Sequence, residues 1–172
     1  MKGTAVFVEH TLDSAPAEAR PTMEAIARRA GHLPPAVARL ATSPHLLNGF
    51  MHLTALFDRA TLDPVAREVV VMSVATRNTC HVCIDLHSAK LRALGAGEPL
   101  IAALTDGTPL PDERLEAVRR FVTDVYATSG AVPDDDLRAF LAHGFTHQHA
   151  LEVVMGIGTY TLSTFANRLT RV

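Results

Sequence analysis

The sequence has no tryptophan and only two tyrosines among its 172 residues. A surface built to stack on nucleic-acid bases is therefore poorly supplied. Lysine is scarce as well. Of 16 basic side chains only two are lysines, and the arginines fall as Arg28-Arg29, Arg119-Arg120 and singles against 18 acidic residues. A formal charge of −2 spread in this way favours neither a nucleic-acid nor a polyphosphate partner, and the local basic pairs read as solvated helix faces. No membrane-spanning run is present. The most apolar late stretch, Leu151 to Ala166, is interrupted by Glu152 and two glycines. The opening MKGTAVFVEH holds a short apolar stretch closed at once by Glu9, His10 and Asp13, which is not a signal-peptide core of usual length. These features predict a soluble, cytoplasmic protein with no nucleic-acid and no membrane partner.

Cysteine is the informative scarcity. There are two, both in Thr79-Cys80-His81-Val82-Cys83. A secreted disulfide scaffold carries several pairs at wide spacing, and a bridge closing so short a loop constrains little of the unfolded chain. The pair therefore reads as chemistry rather than as a staple. With 48% apolar residues the chain has enough material for a substantial core, and a single domain over 1–172 is expected.

Helical signals dominate. Pro21 to Ala30 begins with a first-turn proline and ends at Gly31, and Pro34-Pro35 opens a second stretch, Ala36 to Ala41. Ser43 and Pro44 start a helix that carries Leu46, Leu47, Phe50, Met51, Leu53 and Phe57 at helical spacing to about Ala60. Asp63-Pro64 starts the next. Its run Val69-Val70-Val71 has strand propensity, but the Asp-Pro start and the length favour helix. Arg77-Asn78-Thr79 breaks it, and Asn78 or Thr79 can cap a following helix that holds both cysteines and ends near Gly95. A short helix over Pro99 to Leu104, a long one over Asp112 to Thr128, an acidic start at Asp134-Asp135-Asp136, and a last helix from Thr146 to about Asn167 complete the chain. Residues 1–14 can hold one short strand, Thr4 to Glu9, or an arm. The fold class is all-α, roughly eight helices in an orthogonal or irregular bundle.

Cys80 and Cys83 stand three apart at a helix start, where they share a side and can form and reopen a disulfide with little movement. Unpaired amides there stabilise a thiolate and lower a thiol pKa. His87 follows Cys83 by four residues on the same face, able to take a proton from the thiol and return it to a leaving group. Glu68 lies twelve residues before Cys80 in an apolar stretch, where a buried carboxylate needs a partner and can serve as a proton store with a raised pKa. The plain alternatives are a surface glutamate near a helix dipole and two inert buried thiols. Zinc is another: Cys80, Cys83 and His87, with His81 or Glu68, offer four ligands, but the second distant pair of a structural zinc site is missing. Neither a metal nor a cofactor is expected. His81 and His52 are accessory candidates, and His45, seven residues before His52 on the preceding helix, can line the mouth of the site with it. His143, His147 and His149 read as loop and cap residues, and Gly156-x-Gly158 as a place of close helix packing.

The pattern Glu68, Cys80-x-x-Cys83-x-x-x-His87, Ala89-Lys90 and Leu94-Gly95 resembles the AhpD-like branch of the carboxymuconolactone decarboxylase superfamily. The likeness is carried by residues 44 to 95 and again by Val132 to Asn167. It implies a thiol-dependent peroxidase or disulfide reductase in a homo-oligomer, trimer to hexamer. By position it implies that Cys83 attacks the hydroperoxide, Cys80 resolves, and Glu68 and His87 relay protons. Residue chemistry alone leaves the order open, since the dipole favours Cys80 and the histidine favours Cys83. The sequence departs from fully equipped members, which carry a relay histidine immediately before the second cysteine. Val82 stands there, and His81 should point about 100° away from it. The decarboxylase branch does not rely on a cysteine pair, so the dithiol argues against lactone decarboxylation.

The expected activity is therefore reduction of organic hydroperoxides through a Cys80–Cys83 disulfide, with an external dithiol or reductase protein as electron donor. Three alternatives accompany it. One is reduction of a protein or lipoyl-type disulfide, the second a non-enzymatic redox-responsive oligomer, the third a lyase using a carboxylate and His87.

Overall fold

The computed structural model describes residues 6–172, and among them every regular element is a helix. In chain order these are α1 (Arg20–Ala30), α2 (Pro35–Leu40), α3 (Pro44–Phe57), α4 (Pro64–Arg77), α5 (His81–Ala93), α6 (Glu98–Asp106), α7 (Glu113–Ala127), α8 (Asp134–Ala142) and α9 (His147–Thr170). None is long and apolar enough to cross a membrane. Of the strand anticipated over residues 4–9, the first two lie outside the described residues and the remainder carries no strand.

The local chemistry explains the helix starts. Ser43 Oγ accepts the Leu46 amide at 3.3 Å, Asp63 Oδ1 accepts that of Ala66 at 2.9 Å, and Asp112 Oδ1 that of Leu115 at 2.8 Å. At α9 the cap is reciprocal: Thr146 Oγ1 accepts from the His149 amide, and His149 Nδ1 accepts from the Thr146 amide, each at 3.2 Å. A histidine thus takes the place usually held by Glu or Gln in a capping box.

The chain divides into two compact units. The first comprises Met1–Thr54 with Phe165–Val172. Met23, Leu40, Ala41, Leu47 and Ala166 form its buried cluster. Arg39 ties its ends together, with Nη2 on Glu9 at 2.7 Å and Nη1 on the carbonyls of Thr170 and Arg171 at 2.7 and 2.6 Å.

The second unit, Ala55–Thr164, is built around α4. That helix is packed by α5, α6 and α7, and Ala66, Glu68, Val69, Val70, Val71, Met72, Val74 and Ala75 are all buried. Being covered on several sides, it uses β-branched residues that an exposed helix would not favour. Gly156 of α9 is buried here. A Cβ on it would stand 2.7 Å from Phe57 Cζ and 2.9 Å from Val70 Cγ1, so glycine permits the close approach that its sequence context predicts.

Candidate active site

The α4–α5 junction positions the cysteines. The Cys80 amide donates to Ala75 O at 2.9 Å and the Thr79 amide to Thr76 O at 3.0 Å. That is a Schellman ending, with Thr79 at the left-handed position usually held by glycine (φ 49°). A β-branched residue is strained in this conformation. The apolar contact that accompanies such an ending is made here by Ala75 and Cys80. Cys80 is then its own helix's N-cap: its carbonyl accepts from the Cys83 and Ile84 amides at 3.1 and 3.0 Å. The expectation that Asn78 or Thr79 caps α5 is thereby corrected. Asn78 instead closes α4 and donates its side-chain amide to Thr164 Oγ1 at 2.9 Å.

The two sulfurs are 2.8 Å apart and buried, Cys80 at 2% exposure and Cys83 at 6%. Ala75, Val82 and Ile84 pack around them. Cys83 lies in the first turn of α5, where the open amides and the helix dipole favour negative charge. His87 follows one turn later.

Glu68, from the centre of α4, is 2% exposed. Its Oε2 lies 2.6 Å from His87 Nδ1, and its Oε1 lies 2.8 Å from Lys90 Nζ. Burial pushes the carboxyl pKa up, but the hydrogen bond and charge of His87, together with Lys90, outweigh it and hold Glu68 below the ordinary 4.5. The raised pKa anticipated for a proton store is therefore corrected in sign. The reason is first the hydrogen bond and charge of His87, to which Lys90 adds a cation that the apolar sequence around Glu68 did not suggest. An ionised Glu68 only accepts hydrogen bonds, so Nδ1 of His87 is the donor, and in the neutral form of the ring that leaves the lone pair on Nε2. Tyr160 of α9 holds the ring from the side, edge to face at 5.3 Å between centroids, and Phe57 backs Tyr160 at 6.0 Å.

The other candidates are placed differently. His81, the first residue of α5, is exposed, while Val82 is half-buried beside the cysteines. His52 and His45 are exposed on α3 and belong to the first unit. Arg67 donates to the carbonyls of Ala60 and Leu62 at 3.2 and 2.6 Å and so closes the loop before α4. Among the described residues no three His, Cys, Asp or Glu side chains converge as a metal-ligand set. A cavity of about 510 Å³ opens between α5 and α6, lined by Ile84, Asp85, Ser88, Arg92 and Asp106 among others. Ile84 thus touches both the cavity and the cysteine cluster.

Sequence reasoning missed Lys90 and Tyr160 as neighbours of the Glu68–His87 pair. Lys90 was detectable as the residue three after His87, on its face of α5. Tyr160 had no such signal, because its approach depends on how α9 packs.

The helical fold that carries this dithiol and its buried glutamate–histidine pair is similar to that of solved AhpD-core structures. A structure described as the alkylhydroperoxidase AhpD core, an uncharacterized peroxidase-related protein from Ralstonia eutropha JMP134, superposes with a TM-score of 0.82 at 23% identity, covering 95% of this chain and 88% of that one. An uncharacterized peroxidase-related protein from Silicibacter sp. TM1040 gives 0.79 at 21% identity, covering 100% and 92%. Residues 44–124 match the model of the Carboxymuconolactone decarboxylase family, whereas no curated protein matches the chain. Over residues 44–124 the chain is similar to that family, and its helical fold is similar to that of the AhpD core.

Proposed function

We propose that the protein is a thiol-dependent peroxidase for organic hydroperoxides, working through Cys83, Cys80, His87 and Glu68. The observation that carries this reading is the hydrogen bond from His87 to a buried, ionised Glu68, one helical turn from a pair of sulfurs 2.8 Å apart.

His87 Nε2 takes the proton of the Cys83 thiol. The thiolate attacks the terminal oxygen of the hydroperoxide, the O–O bond breaks, and the departing alkoxide receives the proton from His87. Cys83 becomes a sulfenic acid. Cys80 then attacks its sulfur, hydroxide leaves as water with the Cys80 proton, and the 80–83 disulfide forms. An external dithiol or reductase protein restores both thiols by exchange and is itself oxidised to a disulfide. Cys83 takes the attacking role because it sits on the helix turn preceding His87 and is the more exposed of the two. The cavity beside Ile84 is the approach for the substrate. His81 and His52 are accessory at most, since both point to solvent.

The working form is a homo-oligomer, for which the exposed apolar residues Leu151, Val154, Phe165 and Leu169 of α9 supply contact surface. A reversible dithiol suits the reducing cytoplasm.

The test is stopped-flow oxidation of the reduced protein by cumene hydroperoxide with thiol counting. Both thiols should disappear in the wild type, Cys83→Ser should abolish the reaction, and Cys80→Ser should accumulate a trappable sulfenic acid on Cys83. Thiols that ignore hydroperoxide but exchange rapidly with a small disulfide would replace this reading with a disulfide reductase.

A further inference from the structure

We infer that Lys90 is a third member of the relay, a positioning residue that holds Glu68 in the ionised, correctly rotated state His87 requires. The inference rests on the reading of His87 as the base that serves Cys83.

The geometry is a bracket. Glu68 presents one oxygen to each partner: Oε2 to His87 Nδ1 at 2.6 Å and Oε1 to Lys90 Nζ at 2.8 Å. Both partners come from α5, three residues apart, so the carboxylate is gripped from a single helix face. Without Lys90, Oε1 would be a buried charged oxygen lacking its ion-pair partner. A carboxylate in that position favours taking up a proton or turning away. Either change removes the acceptor that keeps His87 in its Nδ1–H form. Lys90 is itself located at the solvent edge, with 43% of its side chain exposed and Asp58 3.5 Å from its ammonium. Among the described residues, the charged or titratable groups that meet Glu68 are His87 and Lys90 of α5. Asp58 meets Lys90, and Tyr160 of α9 meets His87.

The function of Lys90 is thus distinct from that of a surface ion pair. It makes Glu68 an orienting anion and leaves His87 Nε2 as the site where the proton is taken and returned. Glu68 does not change its protonation state during turnover.

The experiment compares Lys90→Met, Lys90→Arg and wild type, all reduced, by three readouts. Thiol alkylation by iodoacetamide and oxidation by cumene hydroperoxide are followed from pH 4.5 to 9. The His87 tautomer is read by long-range ¹H–¹⁵N NMR on protein labelled in histidine, with His87→Gln for assignment. Removing a positive charge favours the protonated form of the acids around it, so Lys90→Met should move the acid limb of both rate profiles up by about one pH unit. It should also slow the reaction near neutrality about tenfold. The His87 signal should change from the Nδ1–H form to a mixture with Nε2–H. Lys90→Arg, which keeps the charge, should restore the tautomer and the acid limb. A Lys90→Met protein with the wild-type tautomer and wild-type profiles would overturn the proposal, and so would one that is merely slower with both unchanged. Wild-type thiols inert to hydroperoxide would sink the peroxidase reading alone, because alkylation and the tautomer still report on Lys90.

Discussion

Replacing Gly156 by alanine adds one methyl group where the structure has no room for it. The new carbon would lie 2.7 and 2.8 Å from two atoms of the Phe57 ring and 2.9 Å from Val70 Cγ1. Carbon contacts settle at about 3.5–4.0 Å, so these neighbours must retreat by about 1 Å. Phe57 is 1% exposed and packs on Tyr160, and Val70 is fully buried on α4 with one strongly preferred helical rotamer. Overpacking of this kind costs about 1–3 kcal/mol, and three contacts this close place it at the upper end. Against that, alanine gains about 1 kcal/mol over glycine in a helix interior. The expected net loss is about 2 kcal/mol, which for a chain of this size lowers Tm by about 4–8 °C. Thermal and urea melts followed by circular dichroism measure it. The decisive control is the same substitution in a Phe57→Ala background, where most of the clash is gone. There the cost of Gly156→Ala should shrink or reverse as the helix preference shows through. A Gly156→Ala protein as stable as wild type, with no coupling to Phe57, would refute the close-approach argument.

Further outcomes follow from the junction and the carboxylates. Thr79→Gly should raise stability by about 1 kcal/mol, because glycine adopts the left-handed conformation without the Cβ penalty, and urea melts will show it. A melt unchanged or lowered would mean that the threonine side chain contributes more than its backbone strain costs. Glu68→Gln, which keeps a hydrogen-bonding group but not the charge, should slow thiol oxidation by about 10–100-fold, within the range of general acid–base contributions. Asp63, Glu68, Glu116 and Glu152 are all buried to a degree that would raise their pKa values, yet hydrogen bonds, joined by basic partners at all but Glu152, hold each below its ordinary value. Depressed carboxylates contribute stability that is full above the unfolded values of 3.8 and 4.5 and lost as pH falls through the folded ones. The urea midpoint should therefore be level from pH 7 to about 5 and fall steeply below pH 4.

Much of this was legible in the residues because it depended on short-range chemistry. Asp63-Pro64, Ser43-Pro44 and Thr146 announce helix starts through groups that meet the amide three residues on. Glu68 and His87 could be paired because a carboxylate in so apolar a stretch needs a partner, and α5 must fold back on α4 to bury the apolar surface of both. The misreadings arose where one side chain or backbone group had two competing uses. Asn78 was a good cap by type, but the chain uses it to close α4 and bond Thr164, leaving Cys80 to open α5. The sign of the Glu68 shift depended on how closely His87, and after it Lys90, approach the carboxylate, which follows from the way α5 packs on α4. Tyr160 lies 73 residues downstream of His87, and no local periodicity encodes that approach.

The junction at Thr79 and Cys80 also makes the chain a ruler. The Cys80 amide ends one helix while its carbonyl begins the next, so no slack loop separates the glutamate from the cysteines. Adding or deleting a single residue between positions 76 and 81 would turn α5 by about 100° relative to α4 and carry His87 away from Glu68. Point substitutions here alter energies, whereas changes of length disassemble the arrangement. Viable variants of this protein are therefore expected to tolerate diverse side chains in the interval while keeping its length, and a library of one-residue insertions across residues 74–82 would trace that boundary.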